Sequence, residues 1–536
     1  MTEIPLLVEN LTFRYRRREE NAIDAVSFSL QPGQVMLVAG SSGCGKTTLL
    51  RCINGLIPHT YNGEMTGDIR LFGKSVREME MAEISQTVGT LLQDPERQIL
   101  GSYVLNEVAF GLESLGMPRA EIIPRVDAVL ERLGIMYLRD RETFGNSGGE
   151  KQKIALAGVL AMSPKILLLD EPLASLDPAS AHEALQVFRQ LADEGISVLL
   201  IEHRVEDVLA IHPEVILYMD DGKVVYQGGA EGLMQVVDYR RIKLPAEVVL
   251  ERAKSEPVAP IEPAVKPTTR EPLVKFEEVN FRYAPDLPDV LQGINLTINQ
   301  GDVIAILGHN GSGKTTLVKH ALGLLKPTSG RVLLQGNDTR KMSVAQAAHT
   351  VGYVFQSPTQ MLFAQTVEEE LAFGPKNLKH TPEVIQQEVN WAVETVNLKS
   401  ELKTPPLALS FGQQKRISIA AVLSMRPRIL MMDEPTAGQD YWNYQQFMDS
   451  ILQMHGLDAL LFITHDIDLA VIYATRVLLI YGGRLMADGT PYEVLRDEAL
   501  LRSCRVLPTS LLRLNLHTYP RTGRFYRAET LAQVVG

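Results

Sequence analysis

The chain has 536 residues, of which 45% are hydrophobic and 22% charged, and a formal net charge of −11. That length passes the ~250–300 residues at which a single core stops growing, so more than one domain is expected, and the composition excludes wholesale disorder. The acidic balance argues against a binder of nucleic-acid phosphates, and the three scattered cysteines (Cys44, Cys52, Cys504) exclude a disulfide framework, a zinc pair or an iron–sulfur cluster.

The first residues, Met1-Thr2-Glu3-Ile4-Pro5, lack a charged-then-apolar signal pattern, and no stretch approaches the ~20 apolar residues that span a bilayer. A cytosolic chain is expected. The apolar run 35–39 predicts a strand, and it leads into Gly40-Ser41-Ser42-Gly43-Cys44-Gly45-Lys46-Thr47, with Thr48 opening a helix-like run. This is the strand–loop–helix context of a phosphate-binding loop, a P-loop, in which glycines let backbone N–H groups face phosphates and the helix N-terminus adds partial positive charge. Lys46 would reach the outer phosphates of ATP, and the Thr47 hydroxyl would meet Mg²⁺. Cys44 lies near that helix terminus and Lys46, conditions that lower a thiol pKa, so a reactive thiol and an inert buried one are both open readings.

The pattern returns as Gly308-His309-Asn310-Gly311-Ser312-Gly313-Lys314-Thr315, followed by Thr316, after the apolar run 303–307. Lys314 lies 268 residues after Lys46, whereas Gln356, Ser410 and Asp433 lie 263 after Gln93, Ser147 and Asp170, and His465 lies 262 after His203. The five-residue change falls between Gly55 and Gly67, where one local insertion explains it. A period this long means duplication of a whole domain, since solenoid repeats run only ~20–50 residues.

In both copies a short apolar strand ends in two carboxylates, Asp170-Glu171 and Asp433-Glu434. A buried strand delivers such a pair to the C-terminal edge of a parallel sheet, where the first carboxylate would hold Mg²⁺ and the second would orient the attacking water. Between the copies, six prolines in residues 245–272 predict a linker, whose eighteen residues 255–272 would reach ~55 Å in polyproline-like form at ~3.1 Å each. The expected division is 1–244, the linker 245–272, 273–500, and a tail 501–536 with no recognisable chemistry.

The segments beginning Asn146-Ser147-Gly148-Gly149-Glu150 and Leu409-Ser410-Phe411-Gly412-Gln413 resemble the signature of ATP-binding-cassette (ABC) ATPases, whose consensus begins Leu-Ser-Gly-Gly-Gln. The resemblance covers both halves almost end to end. It implies an α/β fold of tandem P-loop NTPase domains, each with a mostly parallel core sheet, an antiparallel β subdomain and a helical subdomain. It implies head-to-tail pairing of the halves, so that the first P-loop meets Ser410 and Gly412 while the second meets Ser147 and Gly149. Tyr15 and Tyr283, each 25 residues before its P-loop, would stack on adenine, although an isolated strand aromatic is more often core. Gln93 and Gln356 would sense metal and water, Asp177 and Asp440 would form interdomain loops, and His203 and His465 would contact the γ-phosphate. Asn146, Glu150, Phe411 and Gln439 depart from the family pattern and put equal turnover of the two sites in doubt.

The segment from Gln93 through Pro95-Glu96-Arg97-Gln98, its partner Pro358-Thr359-Gln360-Met361, and the following 106–111 and 366–375 resemble the ATPases of energy-coupling-factor (ECF) importers. There this stretch grips a membrane coupling subunit, and a separate membrane subunit binds a vitamin, a vitamin precursor or a transition-metal ion. The implied location is the inner face of the cell membrane. A plain surface-helix reading stays open, as do a peptide- or sugar-type importer ATPase and a soluble translation-factor-type ABC protein.

Overall fold

The computed structural model describes residues 3–16, 18–174, 176–254, 271–436, 439 and 441–535. The chain divides into two compact units, Met1–Leu176 with Ser180–Leu244, and Asp177–Ala179 with Pro245–Gly536. In the first unit the long strand Leu6–Tyr15 lies between Ile23–Leu30 and Gly63–Leu71 in a four-stranded antiparallel sheet closed by Lys74–Ser75. Leu6, Val8, Leu11 and Phe13 alternate onto its buried face, the period-two pattern of a half-covered sheet.

The second sheet has six strands in the order Lys223–Gly228, Val215–Asp220, Val35–Gly40, Ser197–Ile201, Ile166–Asp170 and Val88–Leu91. All neighbours run parallel except the edge hairpin. The three inner strands 35–40, 197–201 and 166–170 are buried along their whole length, because a parallel sheet is covered on both faces. That is why they read as unbroken apolar runs. A three-helix subdomain of Val104–Ser114, Arg119–Arg132 and Gly148–Ala161 completes the unit.

The second unit repeats the plan, with a four-stranded antiparallel sheet and a six-stranded sheet in which Val351–Val354, Ile429–Asp433, Ala459–Ile463, Val303–Leu307 and Arg476–Tyr481 are parallel neighbours and Arg484–Gly489 turns back at the edge. Its helices Val367–Asn377, Pro382–Thr395 and Phe411–Leu423 correspond to the first three. The α/β class and the three-part plan expected of each half are present.

Around the expected linker and tail the structure departs from the sequence reading. Within the expected linker Ala246–Ala253 is a helix and Pro272 already opens the strand Pro272–Phe281, while residues 255–270, most of the segment expected to be extended, lie outside the described residues. The tail also has a counterpart. Leu507-Pro508 repeats Leu244-Pro245 at the 263-residue offset, and each pair precedes a helix, Ser510–Thr522 and Ala246–Ala253. The two helices touch within the second unit, where the Ala246 N–H donates to Ser510 Oγ at 2.8 Å. Only Leu-Pro is shared between the two segments, because apolar helix residues interchange freely.

Arg527 fastens the tail to that unit: it pairs with Asp449 and donates to Tyr473 Oη at 2.7 Å, with both charged side chains about 15% exposed. Removing one member of a buried pair leaves its partner's charge unpaired in a poor solvent. Arg527→Ala is therefore expected to destabilise the second unit by ~3 kcal/mol, read as a lower denaturant midpoint.

Candidate functional site

Each P-loop is built by glycine geometry. Gly40 and Gly308 have φ of 153° and 147°, and a Cβ there would lie 2.3 and 2.2 Å from the carbonyl oxygens of Met219 and Ile480. Only glycine fits so close to the neighbouring strand. Gly45 and Gly313 then cap the helices Lys46–Ile53 and Lys314–Ala321 in the left-handed conformation. The buried Lys46 donates to the carbonyls of Gly40 and Ser41 at 2.9 and 2.8 Å, and Lys314 to those of Gly308 and His309 at 2.8 Å each. The ammonium thus holds the loop open around the place where phosphate oxygens would bind.

Strand register supplies the rest. Asp170 pairs with Ile201 and Asp433 with Ile463, so the next residues, Glu171 and Glu434, fall beside His203 and His465. His203 Nε2 stands 2.9 Å from Glu171 Oε1, and His465 Nδ1 stands 2.9 Å from Glu434 Oε2. Burial pushes the Glu171 and Glu434 carboxyls up, but the neighbouring histidine, hydrogen bonds and the P-loop lysine outweigh it and hold both below the usual carboxylate range. Burial and the adjacent glutamate raise Asp170, and burial raises Asp433. Both glutamates adopt the left-handed backbone, φ 46° and 47°, which costs a non-glycine residue ~1–2 kcal/mol. The strain recurs in both copies, as it does at Phe72 and Gln335 and at Ser163 and Arg426, so it belongs to the duplicated backbone as a whole.

The donors around the first aspartates suit a hard cation. Asp170 Oδ1 is buried with no hydrogen-bond partner, and Thr315 Oγ1 donates to Asp433 Oδ2 at 2.6 Å. Hydroxyl and carboxylate oxygens meeting at a P-loop are a ligand set for Mg²⁺. Gln93 Nε2 donates to Glu171 Oε2 at 2.7 Å, whereas the Gln356 side chain is exposed and forms no bond to Glu434 among the described residues.

Tyr15 and Tyr283 divide the work with their neighbours in the sequence. Phe13 and Phe281 fill the core, while each tyrosine packs edge-on against its phenylalanine and shares a hydrogen bond with Thr48 or Thr316 at 3.2 and 3.1 Å. Tyr283 stays 57% exposed, so its ring is open to a stacking base.

Ser147 and Ser410 are N-caps of the helices Gly148–Ala161 and Phe411–Leu423, each in a capping box with Glu150 or Gln413. Glu150 therefore replaces the usual glutamine without loss of the cap, and it adds a negative charge. Gln439 donates to the Gly412 carbonyl at 2.7 Å. Asp440 and Ser175 lie outside the described residues.

Four further residues carry no signal in the motifs. Tyr353 Oη donates to Asp433 Oδ2 at 3.2 Å, where the first copy has Thr90. Lys415 is fully buried in the signature helix, and burial pushes its pKa down to about 8. Glu107 and Glu370 each accept two backbone N–H bonds, from Leu100 and Gly101 at 2.8 and 2.6 Å and from Phe363 and Ala364 at 2.8 Å each.

Cys44 follows the inert reading. It is 3% exposed, and burial raises its thiol pKa more than Lys46, 3.9 Å away, lowers it. Iodoacetamide is expected to leave Cys44 unlabelled with or without Mg-ATP; labelling of the apo protein that nucleotide suppresses would restore the reactive reading.

The family model for ABC transporters matches residues 23–174 and 291–437, more than half of the chain. The chain belongs to the ABC transporter family. A Methanosarcina mazei protein provisionally described as an ABC transporter ATP-binding protein is 36% identical over 96% of this chain and 94% of its own length. A Bacillus cereus protein with the same description is 34% identical over 94% of each. Among solved structures, cbiO1 of Clostridium perfringens, part of the ABC transporter complex cbiONQ, is 28% identical and covers 47% of this chain and 96% of its own, with a TM-score of 0.41. The ABC chain is an ATPase, the ATP-binding subunit of a transporter with two cassettes in one polypeptide. Among the described residues, no helix of this subunit is long and apolar enough to cross a membrane.

Proposed function

We propose that the chain energises an ECF-type importer, hydrolysing Mg-ATP in two cassettes that close head to tail and passing the motion to a membrane coupling subunit. A separate membrane subunit would bind the cargo, a vitamin, a vitamin precursor or a transition-metal ion, and the chain would sit on the inner face of the membrane. Glu171 and Glu434 would polarise water, His203 and His465 would meet the γ-phosphate, and Thr47, Gln93 and Asp170, with Thr315, Gln356 and Asp433, would hold the metal. Bound Mg²⁺ would neutralise phosphate charge as the terminal bond breaks.

The observation that carries this reading is a pair of matched apolar outcrops. Leu100 and Phe110 are 69% and 51% exposed, and at the same positions of the second copy Phe363 and Phe373 are 61% and 49% exposed. Large apolar side chains in solvent mark an interaction surface. The Glu107 and Glu370 bonds brace the backbone beneath them, so the surface is preformed.

Of the docking residues expected from sequence, Glu96 and Arg97 stay exposed, whereas Gln98 and Met361 turn inward. Gln98 accepts from the Leu92 N–H at 2.9 Å and donates to the Thr90 carbonyl at 3.1 Å, and Met361 Sδ accepts from the Phe355 N–H at 3.3 Å. Glu96 pairs with Lys151. Gln98 and Met361 thus shape the glutamine loop from within, and the departure of Met361 from the motif keeps that role through sulfur. Purification of the tagged chain from membranes, with mass spectrometry of its partners and bound cargo, tests the reading. Membrane subunits and a small cargo are expected; ribosomes would overturn it, and a peptide-loaded partner would move the chain to another importer class.

A further inference from the structure

The two cassettes hold their glutamine loops differently. In the first, the half-buried Gln93 side chain binds Glu171. In the second, Gln356 points to solvent and the loop is held by its backbone: Lys415 Nζ donates to the carbonyls of Phe355, Gln356 and Asp433 at 2.8, 2.8 and 3.0 Å. An ammonium has three donors, and all three are used. The residue 263 positions earlier is Gln152, which donates to the Pro172 carbonyl and leaves its Oε1 unpartnered. Burying an ammonium is costly unless its bonds are complete, and here those bonds join the ends of two adjacent parallel strands, Val351–Val354 and Ile429–Asp433.

We propose that Lys415 is a positioning residue of the second nucleotide site alone, a clamp that fixes the glutamine loop to the Asp433-Glu434 strand end. The second loop is then preset for nucleotide, whereas the first must release Gln93 from Glu171 before that side chain can turn to a metal-bound phosphate. The two sites are unequal in the step that follows binding. The inference rests on Gln356, Asp433 and Glu434 belonging to a nucleotide site.

The full-length chain and its Lys415→Gln variant, which installs the residue of the first copy, separate these ideas. Amide hydrogen exchange across residues 355–358 is expected to rise at least about tenfold in the variant, with residues 92–95 unchanged. The ATPase kcat is expected to fall about fivefold while KM for ATP stays within about twofold, the signature of a step after binding. If Lys415→Gln loses its cooperative thermal transition, Lys415→Met, which keeps the side-chain length, carries the same expectations. Wild-type exchange at 355–358 in a folded variant, exchange that rises equally in both copies, or an unchanged kcat would each overturn the clamp. Protection of residues 308–316 by Mg-ATP in the wild type is the control: its absence would instead overturn the site assignment.

Discussion

Glu171→Gln together with Glu434→Gln is expected to abolish steady-state ATP turnover and to leave ATP binding intact. Each glutamate is buried between a histidine and the end of the Asp-Glu strand, and its environment keeps it ionised. The amide keeps the shape and still bonds the histidine, but it cannot take a proton from water. Loss of a general base typically costs ~10²–10⁴ in rate, and with both replaced no intact site remains. Nucleotide affinity should hardly change, since the groups expected to meet the phosphates are the P-loop backbone, Lys46 and Lys314, which the variant leaves in place. Steady-state turnover by the double variant within about tenfold of wild type would remove both glutamates from the chemistry. The backbone strain at φ 46° and 47° belongs to the same picture, because it fixes the carboxylate direction that a relaxed residue would not hold.

The second large effect is expected at the apolar outcrops. Burying one large apolar side chain against a partner contributes ~1.5–3 kcal/mol, so introducing glutamates in Leu100→Glu, Phe110→Glu, Phe363→Glu and Phe373→Glu together should weaken partner binding by well over ~100-fold. Capture of membrane subunits and cargo uptake in cells should collapse. The ATPase of the purified chain should stay within about twofold, because these side chains are exposed at the surface. Phe363 and Phe373 do contact each other, with ring centroids 4.7 Å apart, so the two must be changed as a pair. Unchanged uptake with all four replaced would remove the docking surface and with it the main support for an importer.

Much of the chemistry was legible in residue order. The two P-loops, the Asp-Glu pairs and the signature serines depend on local rules: glycine at positions closed to a Cβ, a helix that needs a cap, an apolar run that must be buried. Such rules act over a few residues, and duplication printed each of them twice at a nearly constant offset. Cys44 shows where that legibility fails. The sequence places it beside a lysine and a helix terminus, yet the fold seals it from water, and desolvation outweighs the neighbouring charge. Gln98 shows the same from the other side: its spacing after Gln93 was readable, but its inward direction was not.

By itself the sequence determined the tandem architecture, the phosphate loops and the candidate catalytic groups, because these follow from contiguous motifs. Tertiary structure alone decided what lies across strands. Parallel register brings His203 to Glu171 and His465 to Glu434 over about thirty residues of chain. Packing turns Gln93 inward and leaves Gln356 in solvent. Lys415, on a helix that reads as an ordinary part of the signature segment, finds two carbonyls in the loop that follows one strand and a third at the end of the neighbouring strand. A buried polar group is satisfied by whatever the fold brings within reach, and that neighbourhood is a property of the packed sheet, absent from any short stretch of sequence.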